Sequence, residues 1–197
     1  MVAMIEGYDP LDILTELSTI GAGNAAGAMS KLTGKRVEIK VPDAYSIRID
    51  EVPQTVGFAQ KTASVVAELS GEKEGYLLLL LEEPESLDLV KLLIDGDAEE
   101  LGDMEKSALI EVGNIMAGTF IGALSRFLRA KIMEKPPSLK IGNVSAMVLG
   151  ALEGRDIDRN VWLAKIEFIV GECRLRGHML FIPLFDFSRD AIARVRV

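Results

Sequence analysis

Apolar residues along this chain recur in two patterns. Over Pro10–Thr33 and again over residues 104–132 they return at helical spacing, with polar residues between them, which predicts two long amphipathic helices. Elsewhere they gather into short runs that read as strands, at 36–40, 58–69, 75–81, 161–170 and 173–183. The turn formers Ser70, Gly71 and Glu72 separate the second and third of these runs, so that pair reads as a hairpin. The last two runs make the corresponding hairpin, and hairpins imply antiparallel pairing. Residues 50–56 form a short segment between strands. Residues 84–95 predict a further helix with Leu87, Val90, Leu93 and Ile94 on its apolar face, and residues 190–197 a shortened counterpart.

The two long helices carry the same pattern 95 residues apart. Asp12, Glu16 and Thr19 stand at i, i+4 and i+7 in the first; Ser107, Glu111 and Asn114 do so in the second. At 3.6 residues per turn each set shares one face. Gly23 and Gly118 follow on that face, seven residues after each glutamate. Around the second helix Ala108, Val112, Ile115 and Met116 lie on the other side; around the first, Leu17, Ile20 and Gly21 do. The similarity continues, since residues 28–32 align with 123–127, and Pro42 with Pro137. Further on, residues 74–79 resemble 176–181 at an offset of 102, so seven extra residues lie in the second half, near 152–160. The fold class that follows is α+β: two helix–strand–hairpin halves, about 8–97 and 103–197, related by a pseudo-twofold. They share one antiparallel sheet with the two long helices packed on it, in a single domain over 1–197.

A glutamate with a small polar residue on a helix face is ordinarily just solvated, and one occurrence would carry little. The repeat and the glycines change that. Glycine in an exposed helix interior costs about 1 kcal/mol relative to alanine. Packing of helix on sheet would account for Gly21 and Gly113, and close approach by a partner for Gly23 and Gly118. Asn24, about 80° from Glu16, is expected to bond backbone locally. Trp162, Tyr45 and Phe185 read as core or sheet residues.

Composition narrows the chemistry. Lysine plus arginine number 22 against 30 aspartates and glutamates, a net charge of −8, which argues against nucleic-acid binding and an anionic membrane surface. The longest apolar run, residues 76–81, is far short of the roughly 20 residues of a membrane span, so no membrane insertion is expected. The first eight residues lack the basic start and apolar stretch of a signal peptide, and the single cysteine, Cys173, fits a reducing, cytoplasmic compartment. One histidine, His178, with one cysteine makes no zinc site of the usual kind, and the histidine reads as structural. No phosphate-binding glycine loop opens a helix after a strand.

With these residues in place, the two helical segments resemble the signature helices of the CheC/CheX/FliY family of chemotaxis phosphatases. The resemblance covers nearly the whole chain. It implies hydrolysis of the aspartyl phosphate on the response regulator CheY, with no cofactor of the enzyme's own and Mg²⁺ carried by the phosphorylated receiver. Matched by position, Glu111 and Asn114 are the implied catalytic residues of a complete site, with Glu16 their partner in a second. Ser107, Asp12, Thr19, Gly118 and Gly23 would contact substrate. Thr19 stands where the family pattern has asparagine, so the first site is the weaker one. A non-catalytic adaptor that binds CheY or the deamidase CheD is the alternative, with residues 144–153 as a docking element.

Overall fold

A computed structural model describes residues 9–58, 61–152 and 160–195. Eight strands form one sheet in which every pairing is antiparallel. They are β1 (Val37–Lys40), β2 (Ala44–Arg48), β3 (Thr62–Gly71), β4 (Gly75–Glu82), β5 (Ile132–Glu134), β6 (Ser138–Gly142), β7 (Asn160–Val170) and β8 (Cys173–Pro183). The order is β1-β7-β8-β4-β3-β5, with β2 beside β1 on the outer edge of β7 and β6 beside β5 on that of β3. The helices are α1 (Pro10–Thr33), α2 (Val52–Val56, after a 3-10 turn), α3 (Glu83–Ile94), α4 (Asp103–Leu128), α5 (Val144–Leu152) and α6 (Phe187–Val195).

The centre of this order is the pseudo-twofold. β4 and β8 are equivalents at the offset of 102, and they pair with each other. Leu78 stands opposite Leu180, its own counterpart; Tyr76 faces Ile182 and Leu80 faces His178, two pairs that exchange under the repeat. Both strands are buried on both faces, which is why residues 76–81 form an unbroken apolar run. Leu77, Leu79, Leu81, Met179 and Phe181 face the core under α1, α3 and α4. Leu78, Leu80, Leu180 and Ile182 face a second cluster that includes Val52 and Val56 of α2 and Val144 and Val148 of α5.

The helix ends follow from the sequence. Asp9 Oδ1 accepts from the Leu11 amide at 2.9 Å and Pro10 occupies the first turn, while Gly34 closes α1 in the left-handed region at φ 70°. α4 stops at Leu128 rather than 132, because Arg129 takes a left-handed conformation and Ile132 begins β5. By length and hydropathy α4 would cross a membrane, but half of its most apolar window is buried inside the protein.

Two glycines bring the helices into place. A Cβ on Gly113 would lie 2.3 Å from Val65 Cγ1, so α4 rests directly on β3. Gly21, expected against the sheet, instead meets α4: its Cβ would lie 3.1 Å from Phe120 Cα. Ile20 is a second correction. It is 42% exposed, because the buried face of α1 centres on Leu14, Leu17, Gly21 and Ala25 and leaves Ile20 at its margin. The short edge strands β2, β5 and β6 went unread in the sequence. Their outward positions are solvated, and little apolar alternation marks them. Trp162 is core, Tyr45 lies in edge strand β2 with Lys165 Nζ 5.5 Å from its ring centre, and Phe185 packs on Phe181 and Phe187. The seven-residue insertion falls mostly outside the described residues.

His178 is buried in β8 with Phe58 edge-on at 5.3 Å, and its Nδ1 has no hydrogen-bond partner among the described residues. Burial, then the charge of Lys165, lowers its pKa from 6.5 to about 4. The unfolded imidazole takes up a proton below about 6.5, the folded one only near 4, so the unfolded state binds more protons throughout that window. Stability therefore falls as pH drops through it, by about 3 kcal/mol in full. Urea denaturation between pH 6.5 and pH 5 should show that slope in the wild type and a shallower one in His178→Leu; equal slopes would assign the loss to other groups.

The glycines give a second test by the same measurement. Gly113→Ala should cost about 1–3 kcal/mol, since Val65 has no room to give. Gly23→Ala, where a Cβ meets nothing within 4 Å, should stabilise by up to about 1 kcal/mol.

Candidate functional site

Each long helix turns one face away from the sheet. On α4 that face carries Ser107 and Glu111, both exposed, and Asn114, half-buried. Asn114 Nδ2 donates to Glu111 Oε2 across 3.5 Å, a long, weak contact that leaves the amide free to turn to another acceptor. The Ser107 hydroxyl is committed to its own helix, donating to Asp103 O at 2.8 Å. The protruding polar atoms of this face are therefore the Glu111 carboxylate and the Asn114 amide.

The α1 face is built alike but ends differently. Asp12, Glu16 and Thr19 are exposed, and Gly23 lies beyond them under open space. Thr19 Oγ1 donates to Thr15 O at 2.9 Å. Where α4 offers an outward amide, α1 offers a short hydroxyl whose proton is already bonded. Asn24 departs from expectation: it is exposed and its side chain makes no hydrogen bond among the described residues, whereas the hydroxyl of its counterpart Thr119 donates to Ile115 O and Met116 O. Gly118 is not open as Gly23 is. The Glu134 carboxylate lies over it, with Oε1 3.1 Å from where a Cβ would stand.

The two faces do not form one composite site. α1 and α4 run antiparallel: Gly21 meets Phe120, while Met29 and Leu32 share an apolar groove of about 150 Å³ with Ala108, Glu111 and Ile115. At 1.5 Å per residue Glu16 and Glu111 are about 20 Å apart along the helix pair. At that separation the two carboxylates cannot meet one small group.

A sequence model of the CheC-like family matches residues 11–46 and 104–141, which hold both polar faces. A CheC-type chain of Halobacterium salinarum is 30% identical over 132 residues, 66% of this chain and 67% of its own length. The chain belongs to the CheC-like family. Within it, the CheY-P phosphatase CheC of Bacillus subtilis is 27% identical over 187 residues, 90% of each chain. The crystal structure of Thermotoga maritima FliY has the same fold, with a TM-score of 0.78 at 22% identity over 98% of this chain and 99% of that one. The CheC-like family match spans nearly all of both long helices with their site faces and the following strands β1, β5 and most of β2 and β6, so the matched unit in each half is the helix with its edge strands.

Proposed function

We propose that this chain is a phosphatase of a phosphorylated CheY-type response regulator, with α4 as its working face. Water attacks the phosphorus of the aspartyl phosphate, the acyl P–O bond breaks, and aspartate and inorganic phosphate result, the water's proton passing to phosphate. The receiver brings its own Mg²⁺ to balance charge on the phosphoryl group as part of the substrate. What the catalyst must add is orientation. Asn114 suits this because an amide both donates and accepts: its NH₂ reaches a phosphoryl oxygen or its carbonyl holds the attacking water. It is a positioner rather than a base. Glu111, one turn before it and fully at the surface, suits pairing with a cation on the receiver, which fixes the docking angle.

The observation that carries the reading is the unblocked Glu111–Asn114 pair on an exposed face, in a chain similar over 90% of both lengths to a relative named as a CheY-P phosphatase. The α1 face supports the same account by contrast. Glu16 there can still meet a cation, but the Thr19 hydroxyl is short and bonded to Thr15 O, so no group is left to hold the water. Binding without efficient turnover is the expectation for that face.

Decay of labelled phosphate on CheY tests the reading. Wild type should accelerate it. Asn114→Ala should lose about a hundredfold, equivalent to about 2.7 kcal/mol of barrier, and Glu111→Ala should raise KM. Glu16→Ala should leave most of the rate. Thr19→Asn should add to it by giving α1 an outward amide. No acceleration by the wild type would overturn the phosphatase reading and leave a non-catalytic binder of the regulator.

A further inference from the structure

Glu134 is the last residue of β5. It is half-buried against the middle of α4, where the missing side chain of Gly118 makes room: a Cβ there would stand 3.1 Å from Oε1 and 3.9 Å from Oε2. Gly118 lies one turn beyond Asn114 on the same face, about 6 Å along the helix. Oε2 is buried with no hydrogen-bond partner, and no ion pair reaches the carboxylate among the described residues. Its neighbour in sequence, Lys135, is bound to Glu68 at 2.7 Å. Burial holds the Glu134 carboxyl above the usual carboxylate range.

A partly desolvated carboxylate without a donor is costly to keep, and the repeat shows that the fold does not require it. At the offset of 95, Glu134 corresponds to Ile39, a buried apolar residue, and Gly118 to Gly23, which has open space above it. The half with the outward asparagine is the half with the extra carboxylate; the half with Thr19 has neither.

We propose that Glu134 is a binding residue of the α4 site: its carboxylate, seated over Gly118, accepts a hydrogen-bond donor of the regulator docked on Glu111 and Asn114. The donor is an ammonium, a guanidinium or an amide. The inference rests on the regulator reading above. Gly118 thereby acquires a purpose other than direct contact, since an alanine there would push the carboxylate from its seat. Because the group has already lost part of its water in the free protein, a donor brought to it meets a less screened charge than one brought to Glu111.

Initial rates against concentration of phosphorylated CheY separate the possibilities. Glu134→Gln should raise KM about tenfold, the loss of one charge-assisted hydrogen bond, with kcat within about twofold of wild type. Glu134→Asp, which keeps the charge, should recover part of the affinity. The melting temperature of Glu134→Gln should hold or rise, since an unpaired carboxylate is removed. Unchanged KM in Glu134→Gln overturns the proposal and leaves a strained structural carboxylate. If the wild type does not hydrolyse, the phosphatase reading has failed, and fluorescence anisotropy of labelled phosphorylated CheY decides this one separately. Weaker binding by Glu134→Gln than by wild type supports it; equal binding, or none by either, overturns it.

Discussion

The pairing of β4 with β8 is the constraint from which the rest of the molecule follows. Two strands that are repeats of each other meet at the middle of the sheet with Leu78 against Leu180. Once that register is set, β3 and β7 must flank it, and β5/β6 and β1/β2 must close the two edges as equivalents. A slip of one residue would turn Leu77, Leu79 and Leu81 from the larger core to the smaller and exchange both faces at once, so the register is strongly held. The hairpins on either side carry it outward to the helices.

Such a frame delivers two helix faces at equivalent places and leaves their chemistry to the exposed residues. Substitutions there usually change stability by no more than about 0.5 kcal/mol. The second half keeps an amide at Asn114 and adds a carboxylate at Glu134; the first has a bonded threonine and an isoleucine at those positions. Separation by about 20 Å, given the 1.5 Å rise per residue, lets the faces diverge, because neither shares a side chain with the other.

What the sequence discloses and what it hides divide along physical lines. The long helices, both hairpins and the α4 polar set are legible because each is a local pattern: helical spacing, a buried apolar run, a turn, a repeat at 95. The edge strands β2, β5 and β6 are not, since their outward residues face water and their identity as strands comes from β7 and β3. Ile20 is exposed although it lies on the apolar side of α1, because helical spacing shows which side is apolar but not how wide the buried sector is. Glu134 stands 20 residues from Asn114 and belongs beside it only through the packing of β5 under Gly118, a relation with no sequence period.

On the reading proposed above, helix–sheet packing favours α4 as the platform for orienting a reaction. Gly113 immediately precedes Asn114 and lies hard against Val65 of β3, a residue paired on both sides with Leu79 of β4 and Leu139 of β6, so the backbone that carries the amide rests on a strand held from both edges. The counterpart of Gly113 in α1 is Ser18, whose hydroxyl bonds back to Leu14 O at 2.8 Å, the kind of bond that loosens and bends a helix. Back-bonds of this kind occur on both helices, at Thr15 and Thr19 of α1 and at Ser107 and Thr119 of α4, so the two helices differ at the Gly113/Ser18 position rather than in their hydroxyls. A water held in line needs its positioning group fixed to a fraction of an ångström. On the reading proposed above, the glycine that seats α4 on the sheet directly beside Asn114 serves that demand, whereas α1 carries the back-bonded Ser18 at the equivalent place.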